Sequence, residues 1–131
     1  MERVIVLVAR ILLSHIFILS GINKIFDYAA TQGYMESFGV APGLLPLVIL
    51  TEVLGGLAVL LGWQARWGAA ALAGFSILAA LFFHTEFSQQ AQMINFMKNL
   101  SIAGGLLVLA IHGAGDWSID ARTRGIGSQS G

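Results

Sequence analysis

No cysteine occurs anywhere in the 131-residue chain. That absence closes structural disulfides, thiolate zinc sites and Cys-x-x-Cys redox chemistry, and with them the thiol–disulfide membrane oxidoreductases. Charge is scarce as well. Charged residues make up 11% of the chain against 56% hydrophobic, whereas a soluble domain carries about a quarter charged residues to cover its surface. Most of this surface is therefore expected to meet lipid. Net charge is zero and no Lys/Arg run occurs, so the electrostatic footprint of nucleic-acid binding is missing. No metal-ligand spacing, phosphate-binding glycine loop or nucleophile–base arrangement stands out, and Gly113-Ala-Gly115 is not followed by the pattern of a dinucleotide fold.

What the chain has is four apolar runs, at residues 4–26, 44–62, 67–83 and 93–111. At about 1.5 Å per helical residue, runs of this length suit a hydrocarbon core of about 30 Å. The reading is an all-α integral membrane four-helix bundle, one domain over residues 1–122, with a Gly- and Ser-rich disordered tail at 123–131. The first run shows no small-x-small cleavage site followed by a soluble domain, so it reads as a retained membrane helix. Arg3, Arg66, Arg122 and Arg124 fall in the N-terminus, the second loop and the tail, which share one side of a four-span protein. The positive-inside rule then places both termini in the cytoplasm, with Trp63, Trp67 and Trp117 at the cytoplasmic boundary.

The first loop faces outward on this reading. Asp27 suits a helix N-cap and Gly39 a C-terminal stop, and Ala30, Tyr34 and Phe38 recur every four residues between them. That pattern predicts a short amphipathic helix lying in the interface. Pro46 falls in the first turn of the second span, where proline is tolerated. In the third loop Ser88 is the candidate N-cap of the last helix.

Ionisable groups within spans cost about 2.5–3.5 kcal/mol each on insertion scales, so each needs a partner or a wet cavity. Arg10 lies about 9 Å into the first span and Glu52 about 12 Å into the second. Lys24 ends the first span, and Lys98, with Asn95 and Asn99, lies in the outer half of the fourth. Arg10 and Lys24 are long enough to snorkel to opposite headgroup layers. Glu52 is too short for that, and its depth pairs it with Lys98. On the first helix Arg10, Ser14, Phe17, Gly21 and Lys24 share one stripe, which should face the bundle. Gly55-Gly56 and Gly104-Gly105 read as devices for close helix approach. His15, His84 and His112 sit at three different levels, which argues against a pair of haem ligands; His84 lies near Asn95 and Lys98 in depth. The stretch Gly21–Pro46, with Lys24 at its start and Tyr34 and Phe38 within it, would then be the lid of any pocket around Glu52.

These residues carry a family resemblance. Arg10, the run from Phe17 to Gly21-Ile-Asn-Lys24, Tyr34-Met35 before Gly39, Pro46, Glu52 with Gly55-Gly56, Gly62 to Arg66 and His84 all contribute. So do the run Asn95 to Gly105 and the close from Gly113-Ala-Gly115 to Ser118-Ile-Asp120. The chain resembles the DoxX family, in particular its small inner-membrane members of enterobacterial type. Ala65 stands where a threonine is common and Ala114 where a proline is common. The resemblance implies a multi-pass protein of the bacterial cytoplasmic (inner) membrane, in a family named after a subunit of an archaeal thiosulfate:quinone oxidoreductase. It supplies no agreed catalytic residues. No resident cofactor is expected; a diffusible quinone is the one that resemblance brings in.

Three functions follow as expectations. The protein is a subunit of a membrane redox or stress complex, binding quinone or relaying protons through Glu52 and Lys98. Or it is a non-catalytic scaffold in such a complex. Or it binds or moves a small solute or lipid through a polar outer pocket lined by Glu52, Lys98, Asn95, Asn99, His84, Lys24 and Tyr34. No self-sufficient catalytic constellation is visible, and its partners would be the bilayer and a membrane redox protein.

Overall fold

A computed structural model describes residues 1–123 and contains five α-helices. These are α1 (Glu2–Phe26), α2 (Tyr28–Ser37), α3 (Leu45–Leu61), α4 (Ala65–Phe83) and α5 (Gln90–His112), with a 3-10 turn at Pro42–Leu44 leading into α3. The four long helices α1, α3, α4 and α5 match the four apolar runs and are apolar enough to cross a membrane. The expected tail lies outside the described residues from 124 onward. Thr123 itself is helical, its hydroxyl donating to the Ile119 carbonyl.

The spanning helices pack in chain order, α1 on α3, α3 on α4 and α4 on α5, while α1 meets α5 at few points. The buried face of α1 is the predicted stripe: Arg10, Ser14, Phe17 and Gly21. On its opposite face Ile5, Leu12, Leu19 and Phe26, seven residues apart, are more than half exposed, the pattern of a lipid-facing seam. Phe17 joins a core with Val59 of α3, Ala69, Leu72 and Ala73 of α4, and Ala103, Leu106 and Leu109 of α5. Alanines at these positions let α4 sit close to both neighbours, since small residues lower the distance at which helix backbones can pack.

The α1–α3 crossing is closest at two glycines. A Cβ at Gly21 would stand 2.6 Å from Val53 Cγ2, and one at Gly56 2.7 Å from Ile18 Cγ1. Gly55 is likewise pressed against Leu72, but Gly104 faces open space and is no packing device. The last helix also departs from expectation. Ser88 does not cap it; its hydroxyl donates to Glu86 Oε1 at 2.9 Å, and α5 begins at Gln90 without a side-chain cap.

The short helix α2 ends as predicted at Gly39, whose positive φ of 76° closes a Schellman turn with Val40 N–H on the Met35 carbonyl. Met35 is buried. The Tyr34 ring stacks on Phe83 of α4 at 5.4 Å, and both rings contact Phe38. These aromatics fasten α2 across the end of the bundle remote from the termini.

At the other end the C-terminal segment folds back. Asp120 accepts the backbone N–H of Gln64 at 2.7 Å and of Ala65 at 3.0 Å, capping α4, which has no cap of its own. Its own N–H donates to the Gly62 carbonyl. Arg10 does not snorkel to the surface: it is 1% exposed and donates through Nη2 to the Trp117 carbonyl. Its Nη1 packs where a Cβ at Gly62 would stand. The returning segment covers the guanidinium, so it has no path outward.

Candidate functional site

Lys24 and Glu52 form an ion pair, with Nζ 2.7 Å from Glu52 Oε1. The same Nζ donates to Ser20 Oγ at 2.7 Å. Local geometry brings them together. Gly21 lets α1 press against Val53 and the Glu52 Cβ, and Ser20 and Lys24, one helical turn apart, then share the side facing α3. Glu52 is 2% exposed at its side chain, while Lys24 keeps 25%. The expected Glu52–Lys98 pair is therefore not formed. Lys98 is exposed on α5, and α5 packs on α4 rather than beside Glu52's own neighbour α1. Depth in the membrane agreed, but direction around the helices did not.

One carboxylate oxygen of Glu52, Oε2, is buried with no hydrogen-bond partner among the described residues. Glu52 lines a cavity of about 690 Å³ to which all the spanning helices and α2 contribute. Its polar wall holds Ser20, Lys24, Thr51 and Glu52, with Thr31 from α2 and Asn99 across from α5. Tyr34, Met35 and Phe83 line the α2 end, so residues of the Gly21–Pro46 stretch form that wall of the cavity. Partial burial raises the Tyr34 phenol above its ordinary range, so it remains a hydrogen-bond donor at neutral pH. His84 also lines the cavity, its Nδ1 2.7 Å from Gln92 Oε1. The remaining wall is mostly apolar. On the α3–α4 side it includes Leu47, Leu78 and Phe82, each more than half exposed, and Gly74, where a Cβ would meet nothing. The cavity is thus open sideways, on a face that lies within the spans.

Of the residues singled out in the sequence, Glu52, Lys24, Tyr34, His84 and Asn99 come together here. Asn95 and Lys98 are exposed on α5 outside the cavity, and Arg10 belongs to the opposite end. Ser20, Thr31 and Thr51 were missed. Ser20 carried a usable signal, four residues before Lys24 on the same face of α1. No group of three His, Asp or Glu side chains able to hold a metal ion occurs among the described residues.

The profile of the DoxX family matches residues 5–85, from α1 to the end of α4 and thus across the Lys24–Glu52 pair. The chain belongs to the DoxX family. It is 52% identical over 120 residues to the Escherichia coli (strain K12) inner membrane protein YqjF, covering 92% of each chain. It is 35% identical over 126 residues to inner membrane protein YphA of the same strain, covering 91% of this chain and 90% of that one. No solved structure matches it. With relatives so named and four apolar spanning helices, this DoxX-family chain is a multi-pass inner-membrane protein. Those names state a location and no activity.

Proposed function

We propose that this DoxX-family protein binds a membrane-soluble quinone in the cavity and serves a membrane redox complex as a binding subunit. The observation that carries the reading is the cavity itself: open sideways between α3 and α4, apolar along most of its wall, and ending on a carboxylate with one free oxygen. A quinone ring needs donors for its carbonyl oxygens and, once reduced, acceptors for its hydroxyls. Lys24, Ser20 and Tyr34 supply donors, and Glu52 Oε2 is an acceptor. The apolar wall suits an isoprenoid tail, as ligand sites are generally apolar with a few placed polar groups. Thiol chemistry is closed to a chain without cysteine, so electrons would come from a partner protein.

The test is to extract the protein with its surrounding lipid, without detergent, and to quantify quinone and lipid in the particle. Gly74→Phe is the control, because the new side chain enters open space beside the cavity. Quinone near one per protein, lost in Gly74→Phe at unchanged protein yield, is the expected result. The sideways opening equally admits an acyl chain. Particles with one tightly held lipid and no quinone, lost in the same variant, would replace the quinone reading with lipid binding.

A further inference from the structure

A second, smaller depression of about 370 Å³ lies on the outer side of α1, and it shares Ile16, Ser20, Lys24 and Thr31 with the ligand cavity. The polar residues that line this depression alone are His15, Asn23 and Asp27. His15 and Asn23, with Leu19 between them, follow at four-residue spacing up α1 to Asp27 at the α2 end. This is a polar seam on an otherwise lipid-facing helix surface, and exposed histidine and asparagine within a span need water or protein partners. His15 satisfies only one ring nitrogen, on the Leu12 carbonyl. Lys24 therefore stands in a partition. One side of it holds Glu52 and the ligand cavity, and the other holds a groove that runs to the helix end.

We propose that this groove is the water-filled access to Glu52, and that Lys24, held between Ser20 and Glu52, passes protons across the partition. The inference rests on the cavity being a ligand site and adds that ligand and protons reach it from different sides: ligand from the bilayer between α3 and α4, protons along α1. The step balances as proton transfer alone. From the resting ion pair the Lys24 ammonium passes a proton to the Glu52 carboxylate, the carboxyl so formed gives it to a ligand oxygen, and the Lys24 amine takes one from water in the groove. One proton leaves solution for each delivered, and no other bond changes. The other titratable groups lining the cavity, Tyr34 and His84, lie towards α2 and do not touch the pair among the described contacts.

Two measurements test this without relying on any ligand. The absence of native cysteine makes each introduced one unique. In membranes, Asn23→Cys and Ser20→Cys should react with a charged, membrane-impermeant thiosulfonate, and Gly74→Cys should not. Infrared difference spectra on pH jumps should show a carboxyl band that is missing in Glu52→Gln. Its response should be about tenfold slower in Asn23→Trp, which plugs the groove, and unchanged in Gly74→Phe, which fills the ligand side. Unreactive Asn23→Cys and Ser20→Cys, a Glu52 band absent at every pH where the protein is folded, or equal rates in Asn23→Trp and wild type would each overturn the proposal. Loss of quinone binding with these results intact would remove the quinone and leave the proton route standing.

Discussion

At the scale of single residues the decisive contact is Lys24 on Glu52. A buried carboxylate left without its cation is costly, whereas replacing both partners by apolar groups is often neutral or better. Lys24→Met should therefore destabilise the protein by about 3 kcal/mol, the low end for breaking a buried pair, because Lys24 keeps a quarter of its side chain exposed. Adding Glu52→Leu should restore most of that loss. Lys98→Met should change little, since Lys98 is exposed and away from the cavity. Thermal unfolding of the four proteins in one detergent checks all three expectations. A stronger effect at Lys98 than at Lys24 would refute the pairing. The residues themselves were legible in the sequence, because a carboxylate and a lysine in apolar spans stand out by cost alone. Which lysine answers Glu52 was not legible: depth fixes a residue's height and leaves its direction around the helix open.

At the scale of helices, two features fasten the bundle. The first is the α1–α3 crossing at Gly21 and Gly56, which sets Lys24 over Glu52. A methyl at Gly56 would meet Ile18 Cγ1 at 2.7 Å and the Ser14 carbonyl at 3.4 Å. Gly56→Ala is expected to cost about 1–3 kcal/mol, the usual range for overpacking, and to weaken ligand retention by shifting α1. Unfolding midpoints and quinone content measured on the same samples would show whether the two losses travel together. The second is the cap that Asp120 places on α4. Asp120→Ala should cost about 1–2 kcal/mol, as for other N-cap losses; Asp120→Asn, which keeps one acceptor, should cost less. An Asp120→Ala protein as stable as wild type would show that the returning segment does not fasten α4. The stripe on α1 was readable because a helix repeats locally. The Asp120 cap was not, because its two halves lie more than fifty residues apart in the chain and no local pattern links them.

At the scale of the whole molecule, function follows from how the helices are arranged. The cavity is lined mostly by α3 and α4, with α1 behind it and α2 at its end. A ligand that binds only the folded protein stabilises it by mass action, by about 2.7 kcal/mol at a hundredfold excess over Kd. A soluble short-tail quinone should therefore raise the unfolding temperature of the wild type and leave that of Gly74→Phe unmoved. Equal shifts in both proteins would mean that the compound acts through the detergent or another surface.

Taken alone, the sequence determined the spans and the bundle-facing stripe of α1, and it suggested the short helix α2. Each of these rests on hydropathy and periodicity within a single stretch of chain, where residues a turn apart are neighbours whatever surrounds them. Only the tertiary structure decided that Glu52 meets Lys24, that Arg10 is sealed beneath Trp117, and that Ser20 and Lys24 stand between two cavities. Those depend on the order of helices around the bundle and on the rotation of each about its axis, and both are set by packing among distant parts of the chain.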